Sequence, residues 1–246
     1  MYIQETLNIS NALNIHSKCL IVPRGNMANI NTFAIKQELI NFVRNQDIIS
    51  TSERGVTTAT ETFNGDNTTV NFDVSNTNLK NVREVIVDSV TLNYGSDYSV
   101  DFDGSNPGRI TFTTAPATGT NNISVEYDYG NTDRIFPDYP RPDLTLSSYP
   151  RIAVDISAID TDNFGIGGTD AISDLTVECI VFDVNIQPLE NKTSGLRNAF
   201  RSEAKNFYNF QFIYPTNVGP TIKPSDRSDE ILNKNLTFTI LNEVET

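Results

Sequence analysis

The sequence is poor in the residues on which catalytic sites and cross-linked domains depend. Among its 246 residues there is no tryptophan, one histidine and two cysteines. A disulfide framework normally needs more cysteines, so a reducing environment fits this chain better. Catalysis through a Ser-His-Asp or Cys-His arrangement would have to use His16, and no nucleophile elbow or oxyanion-loop motif lies near it. We therefore predict that the protein is not an enzyme.

Basic residues and long apolar runs are also scarce. Lysine and arginine number 18 against 31 acidic residues, which gives a net charge of −13. Because nucleic-acid affinity depends mainly on clustered cations, this balance argues against a phosphate-binding face. It is compatible with a protein that DNA passes without sequence-specific binding, although solubility alone is the plainer interpretation. No segment approaches the roughly 20 apolar residues of a membrane span, and residues 1–10 lack the pattern of a secretion signal. We predict no membrane association and no cofactor.

A helix is predicted near the start of the chain. Asn31 or Thr32 can cap it, and apolar residues follow at helical spacing until it ends near Gln46. These apolar residues are Ile35, Leu39, Phe42 and Val43. Residues 1–30 have no sustained period and are predicted to form an arm with one short strand at residues 19–22. The small polar residues from Ser52 onward are typical of a linker.

Between residues 60 and 130 the pattern changes to short alternating runs separated by turns, which is typical of a compact β-sandwich. The alternating residues are Val70, Phe72 and Val74; Val85 and Val87; Val100 and Phe102; Ile110 and Phe112; and Ile123, Val125, Tyr127 and Tyr129. A module of about 70 residues is near the lower size limit for a domain that folds alone, so we expect it to lean on a neighbour.

The rest of the chain combines strands with a second helix. Prolines concentrate in residues 131–148, which predicts a stiff connector. The elements predicted after it are a strand with alternating Ile152, Val154 and Ile156, a glycine-containing loop over residues 160–174, a buried strand over 175–184, a helix over 192–207, an aromatic strand over 208–214 and a last strand over 236–240.

Two stretches of the predicted loop partly resemble ion-binding motifs, one for calcium and one for phosphate. The run from Asp160 to Gly165 is similar to the start of a calcium loop, but Phe164 and Ala171 stand where that loop needs ligands, so a polar loop is the plainer interpretation. The glycines at 165, 167 and 168 lack the spacing and the lysine of a phosphate-binding loop, and they indicate a hairpin tip.

The sandwich region carries the remaining candidates for chemistry. Asp97, Asp101 and Asp103 could serve glycoside hydrolysis, although such groups arise by chance in so acidic a chain. Tyr94, Tyr98 or Tyr127 could stack on a sugar ring in the absence of tryptophan.

Five ordered steps across residues 63–130 form a recognisable pattern. They are Phe63 with Gly65; Gly95 with Asp97 and Tyr98; Ile110 with Phe112; Ala115 with Pro116; and Val125 through Gly130. In these steps the region resembles a small immunoglobulin-like β-module that recurs in virion proteins of tailed phages. The resemblance implies the fold of the module and leaves its task open.

A second resemblance covers residues 32–46 and 149–246. The segments YPRIAVDI, DLTVECIVFDV and LRNAFRSEAKNF are similar to tail-terminator (tail-completion) proteins of long-tailed phages and related archaeal viruses. That family pairs a leading helix with a mixed sheet and a second helix, and it forms a ring, commonly a hexamer, that caps the tail tube beneath the head. The long arm and the inserted sandwich depart from the family pattern, so an adaptor or tail-tube role stays open.

The predicted fold class is therefore α+β. A small mixed α/β sheet-and-helix unit, residues 31–50 and 149–246, is split by an inserted all-β immunoglobulin-like sandwich, residues 60–130. The predicted function is that of a structural virion protein of the neck or tail, assembled in the host cytoplasm into a ring that terminates the tail tube and joins it to the head. Its expected partners are copies of itself, the tail tube and neck or connector proteins. The alternative is a carbohydrate- or surface-binding module at the distal tail.

We predict that the loop over residues 160–174 docks onto the next ring. Apolar side chains on a polar loop would serve as anchors there, although they could instead fold back onto their own sheet. The predicted interface residues are Phe164, Ile166, Asp160, Asp162, Arg151, Arg197 and Arg201.

Overall fold

The computed structural model describes residues 31–102, 107–137, 149–164, 170–223 and 231–245, with side chains except at residues 161–164, 170–172 and 242–245. Strands account for 49% of the chain and helices for 20%, so the fold is mixed and mostly β. Of the helices in these ranges, none is long and apolar enough to cross a membrane.

Helix α1 (Thr32–Asn45) begins where the sequence predicts. The Asn31 side chain accepts a hydrogen bond from the Ala34 N–H at 3.0 Å, which satisfies one of the free donors at the start of the helix. Ile35, Leu39 and Val43 are buried along one face. The predicted apolar stripe is therefore confirmed as the surface that α1 packs inward.

A five-stranded sheet backed by two helices, which we call the helix-backed sheet, forms one part of the molecule. Its strands are β8 (Ile135–Phe136), β9 (Arg151–Phe164), β10 (Asp170–Asp183), β11 (Phe212–Ile222) and β12 (Leu232–Glu245). They lie in the order β11-β12-β10-β9-β8, and only the short β8–β9 pairing is parallel. Helices α1 and α3 (Ile186–Ser202) cover one face of this sheet and share a single apolar core with it.

Two smaller sheets enclose a second apolar core, and we call them the two-sheet part. Their strands are β1 (Thr57–Phe63), β2 (Asn71–Thr77), β3 (Leu79–Val87), β4 (Val90–Thr91), β5 (Tyr98–Asp101), β6 (Pro107–Phe112) and β7 (Ile123–Tyr129). One sheet has the order β1-β7-β3-β4 and the other β2-β6-β5. Phe72 and Ile110 from the smaller sheet meet Val85, Val125 and Tyr127 from the larger one. The alternating runs predicted as strands are confirmed in β2, β3, β5, β6 and β7.

The linker predicted from Ser52 is wrong. Residues there form the short helix α2 (Thr51–Arg54), which a capping box between Ser50 and Glu53 begins. Strand β1 follows and pairs with β7 along its whole length. Threonine is common in strands, but β1 is an edge strand whose side chains are exposed or half-buried, so it lacks the apolar alternation that indicates a strand.

The second helix and the aromatic strand after it are displaced from their predicted positions. Helix α3 starts at Ile186, ahead of the predicted residue 192, because Pro188 lies in the first turn, where a missing N–H costs nothing. Phe207 and Phe210 are buried as core residues, but they lie in the irregular segment between α3 and β11. The strand begins at Phe212.

The loop predicted over residues 160–174 is mostly a β-hairpin. Asp160 pairs with Asp174 and Phe164 with Asp170, and only residues 165–169, the predicted glycine-rich tip, lie outside the described residues. Because an extended strand cannot wrap around an ion, residues 160–164 do not form a calcium loop. No group of His, Cys, Asp and Glu within the described ranges could hold a metal ion.

The other predicted segments lie partly or wholly outside the described residues. The arm over residues 1–30, with His16 and the strand at 19–22, is outside them. The connector over residues 131–148 contains β8 in its described part, and its residues 138–148 are outside. The division of the chain into domains stays a prediction.

Candidate assembly surface

The first strand of the long hairpin, β9, has one side that no described strand covers. On that side β8 pairs only with Ile152 and Ala153. Ile159 lies on this uncovered part of β9. It pairs with the fully buried Leu175 of β10, and yet its own side chain is 47% exposed. Within the described ranges, the main-chain N–H and C=O groups on this side of β9 beyond Ala153 therefore have no strand partner, and an exposed apolar side chain lies beside them. A further strand can add to such an edge.

The opposite edge of the sheet, β11, is less suited to strand pairing. It contains Pro215 and Pro220, which have no N–H to donate. Its pairing with β12 is also interrupted by two shifts of register. Val218 and Ile222 are exposed along it. This edge offers apolar side chains without a regular ladder of main-chain groups, so we expect side-chain contacts there rather than strand addition.

The structure places three of the predicted interface residues on the surface. Asp160 is exposed on β9, and Arg197 and Arg201 are exposed on α3. Asp162 and Phe164 belong to the hairpin strand, but their side chains are not among those described, and Ile166 lies outside the described residues.

Arg151 is buried within its own chain. It is 7% exposed, and its guanidinium carbon lies 3.9 Å from the centroid of the Phe136 ring. Loss of solvent lowers the pKa of Arg151, and its Nε has no hydrogen-bond partner among the described residues. It packs on the face of the sheet away from the helices, beside Phe182 on the neighbouring strand. The single chain therefore does not bring the predicted residues together in one patch.

A buried ionic network joins the two-sheet part to the helix-backed sheet. Arg54, the last residue of α2, is fully buried and donates hydrogen bonds to Asp128 on β7 and to Asp133, both at 3.0 Å. It also donates to the Asn81 side-chain oxygen on β3 at 2.9 Å and to the Arg44 carbonyl of α1 at 3.3 Å. One guanidinium thus satisfies acceptors from both parts of the molecule.

A second arginine completes the network. Arg83 on β3 donates to Asp128 at 2.7 Å and to both carboxylate oxygens of Asp47, which follows α1, at 3.0 and 2.7 Å. Thr58 on β1 donates to Asp128 at 2.7 Å. Because buried charges are tolerated only when they are paired and hydrogen-bonded, these contacts hold the two parts in one relative orientation. The expectation that the module leans on a neighbour agrees with this arrangement.

The sequence contains no signal for this network. Arg54 stands in a run of small polar residues, and its carboxylate partners Asp128 and Asp133 are 74 and 79 positions away. A buried arginine is uncommon, so composition argues against one in advance. Only the folded arrangement of α2, β3 and β7 identifies it.

The network predicts a loss of stability in acid. Desolvation raises the pKa of Asp128, but hydrogen bonds from Arg83 and Thr58 and the charge of Arg54 outweigh it, and the pKa lies below its ordinary value. A carboxylate with a lowered pKa stabilises the fold above the pKa of the unfolded chain, about 3.9, and loses that contribution as the pH falls further. We expect the free energy of unfolding, measured in urea, to decrease below about pH 4.

The matched control for this pH dependence is Asp128→Asn. This variant should lose part of the acid dependence while it starts from a lower stability at pH 7, because the titrating group is gone. A free energy of unfolding that rises on acidification of the wild type would contradict the role given to Asp128. So would a variant whose free energy of unfolding depends on pH as steeply as that of the wild type.

Two tyrosines proposed for sugar stacking are core residues instead. Tyr98 is 4% exposed and Tyr127 is fully buried, so neither can offer a ring face to a ligand. The Tyr127 hydroxyl accepts a hydrogen bond from Asn76 and donates to Glu61. Tyr94 is half-buried against Tyr98. The sugar-stacking interpretation is therefore wrong for Tyr98 and Tyr127.

The fold gives a structural role to Asp97 and to Cys179. The Asp97 carboxylate accepts hydrogen bonds from the Asn93 main chain at 2.8 Å and side chain at 3.2 Å, so it holds a turn. Asp101 lies on β5, and Asp103 is outside the described residues. Cys179 is fully buried, and burial raises the pKa of its thiol, which disfavours the reactive thiolate.

Comparisons with known proteins do not place this chain in a family. No protein-family model matches the sequence, and no curated protein matches it either.

Proposed function

We propose that this chain is a structural subunit of a viral neck or tail, and that copies of it close into a ring that terminates the tail tube and joins it to the head. The observation that carries the proposal is the edge of β9 beyond Ala153, which pairs with no other strand among the described residues and beside which Ile159 is 47% exposed. A protein that remains single usually blunts such an edge with prolines, inward charges or a covering element. An edge left open is typical of a subunit whose copies or partners complete it.

The shape of the sheet favours a ring over a two-fold dimer. Its two edges differ, because β9 offers a ladder of main-chain groups and β11 offers exposed apolar side chains interrupted by prolines. Contacts between unlike surfaces repeat from copy to copy and close when the rotation permits. A hexamer is the ring size that the resemblance to tail-terminator proteins implies.

The arrangement of helices and strands supports the same resemblance. Helix α1 leads, a mixed sheet follows, and α3 packs beside α1 on the same face of that sheet. The five steps that resemble the phage immunoglobulin-like module all fall within β1 to β7 and their turns. We propose that this module is inserted into the sheet-and-helix unit and decorates the outside of the ring.

The buried network gives the decorating module a defined position. Because Arg54 and Arg83 fix the two-sheet part to α1 and its following turn, every copy in a ring would present the module at the same angle. The net charge of −13 further suits a ring around a passage for DNA, since an acidic wall repels phosphate.

The mass of the purified full-length chain tests the proposal. We expect native mass spectrometry and mass photometry to find one closed oligomer, a hexamer, and negative-stain micrographs to show rings. A chain that stays monomeric at tens of micromolar would overturn the proposal. A monomer or trimer that binds glycans on an array would favour the distal-tail binding module instead.

A charge on the open edge should weaken the ring. We expect Ile159→Asp to raise the concentration at which the oligomer dissociates by at least about tenfold, because it places a carboxylate in a contact that excludes water. Val90→Asp is the matched control, since Val90 is 60% exposed on β4 of the two-sheet part. Equal dissociation of the two variants would remove β9 from the interface.

A further inference from the structure

The last turns of α3 and the turn after it carry basic side chains, which we call the basic stripe. Arg197 and Arg201 are exposed four positions apart and therefore share one face of the helix, and Lys205 is exposed just beyond its end. None of the three forms an ion pair with another described residue. The nearest acidic residue in the sequence, Glu203, accepts a hydrogen bond from Asn206 at 2.5 Å. In a chain with a net charge of −13, the stripe is a local excess of positive charge.

Two carboxylates lie opposite one another on the long hairpin, and we call them the acidic pair. Asp160 of β9 pairs in register with Asp174 of β10, and both are exposed. Like charges directly opposite on neighbouring strands destabilise the pairing, because their Cβ atoms are only about 5 Å apart. Neither carboxylate forms an ion pair within the described ranges. The hairpin itself has no counter-charge, since residues 160–174 contain four aspartates and no lysine or arginine. A cation from another surface would relieve the repulsion.

The basic stripe and the acidic pair lie on opposite sides of the helix-backed sheet. Leu175, next to Asp174, is fully buried in the core that the sheet shares with α1 and α3. Because side chains alternate along a strand, Asp174 and its partner Asp160 lie on the face away from the helices. Leu196 and Phe200 of α3 are fully buried in the same core, so the basic stripe lies on the outer side of that helix. The sheet therefore separates the two charged surfaces within one copy.

The hairpin also projects past the elements beside it. The acidic pair is level with Phe212, where β11 begins, and β9, β10 and β12 continue from there to the row of Phe164. At about 3.3 Å per residue, this continuation is roughly 13 Å long. The end of α3 lies near the same level, because the Ile213 N–H donates to the Ala204 carbonyl at 3.0 Å. The acidic pair thus stands at the base of a projection that can reach a neighbouring copy.

We propose that the acidic pair of one copy docks against the basic stripe on α3 of the next copy. This inference rests on the proposed ring and names an ionic contact within it. Opposite charges attract, and arrangements that bring like charges together are rejected, so the contact selects which surface meets which. Because the two surfaces differ and lie on opposite layers of every copy, the contact repeats from copy to copy around a ring.

Reversal of the charges in the full-length chain tests this contact. One variant carries Arg197→Glu with Arg201→Glu, and the other carries Asp160→Lys with Asp174→Lys. Either variant by itself sets like charges against each other in every contact. We therefore expect its oligomer to dissociate at a concentration at least about tenfold higher than that of the wild type, as measured by mass photometry.

An equal mixture of the two variants should restore the ring. When the variants alternate, every contact joins opposite charges, either both native or both reversed. Native mass spectrometry should then find equal numbers of the two variants in each ring. A chain with all four substitutions keeps the net charge of −13 and should form rings by itself, so the net charge of the chain is not the cause of the effect.

Two further measurements support the reversal experiment. Arg109→Glu changes the charge of an arginine whose side chain is 50% exposed on the two-sheet part, and it should leave the ring unchanged. Wild-type rings should dissociate at a concentration at least about tenfold higher when NaCl is raised from about 0.05 M to about 0.5 M, because salt screens exposed charges. This salt dependence tests the contact without any substitution, and rings that do not respond to salt would contradict it.

The outcomes separate the contact from the ring. Variants that form rings like the wild type, or variants that dissociate and are not rescued by mixing, would overturn the contact alone. An equal loss of rings in Arg109→Glu would do the same. A wild-type chain that stays monomeric at low salt would overturn both the contact and the ring. If the variant at Arg197 and Arg201 keeps its ring but loses affinity for double-stranded DNA, the basic stripe binds nucleic acid instead, and the contact is overturned.

Discussion

Replacing Arg54 by methionine is expected to lower the free energy of unfolding by about 3–5 kcal/mol, since removing one member of a buried ion pair leaves the other charge uncompensated. The variant lacks the guanidinium that donates hydrogen bonds to four acceptors. These acceptors are the carboxylates of Asp128 and Asp133, the Asn81 side-chain oxygen and the Arg44 carbonyl. Methionine retains most of the volume, so the effect reports on charge and hydrogen bonding. Urea unfolding followed by circular dichroism measures it.

The Arg54 variant should also change how the molecule unfolds. Because the network couples the two-sheet part to α1, we expect calorimetry of the variant to resolve two transitions where the wild type gives one. The double variant Arg54→Met with Asp128→Asn should recover part of the lost stability, because it removes a buried charge that has lost one of its partners.

The surface pair Arg109 and Asp73 is the matched control. Their side chains are 50% and 51% exposed, and the contact between them is 2.6 Å, close to the distances around Arg54. Exposed ion pairs contribute about 0–1 kcal/mol, so Arg109→Met should have little effect on the free energy of unfolding. If the two methionine variants lost equal stability, burial of the network would not be the cause.

The second large effect is expected at Phe200 on α3. Its ring is fully buried and lies 4.8 Å from that of Phe42 on α1 and 4.5 Å from that of Phe238 on β12, measured between centroids. Phe200→Ala removes contacts with both elements and leaves a cavity, for which we expect a loss of about 3–5 kcal/mol. Urea unfolding measures this loss as well.

Phe33→Ala is the control for Phe200→Ala, because it makes the same chemical change on a helix. Phe33 is 71% exposed on α1, and substitutions at such positions usually change stability by no more than about 0.5 kcal/mol. A small effect at Phe200, or an equal effect at Phe33, would mean that α1, α3 and the sheet do not share one core.

The elements that the sequence predicts well are those whose apolar residues repeat locally. The stripe of α1 and the alternation in β6 and β7 reflect burial on one face, and burial on one face is readable from spacing alone. The errors follow the same rule. Strand β1 is threonine-rich and half-exposed, and the hairpin over residues 160–174 is polar, so neither carries the period that marks a strand.

For the candidate assembly surface, too, local sequence pattern predicts some features, and only the tertiary structure shows the others. The sequence predicts residues 160–174 as a contact loop, and that contact stays a prediction. It also predicts a helix that contains Arg197 and Arg201, and both side chains are exposed on α3. It cannot show that β8 covers β9 only as far as Ala153 among the described strands, because that depends on where β8 ends in space. Nor can it show that Tyr98 and Tyr127 point into a core between two sheets.

By itself, the sequence determined the mixed, strand-rich character of the protein, the cap and inner face of its first helix, and a net charge of −13. Only the tertiary structure decided that Arg54 lies buried between two carboxylates, that one sheet edge is interrupted by prolines, and that the other edge has no described strand beside it beyond Ala153. The physical reason is that helix stripes and strand alternation arise between near neighbours in the chain. Charge pairing and edge exposure depend on segments that folding brings together from far apart.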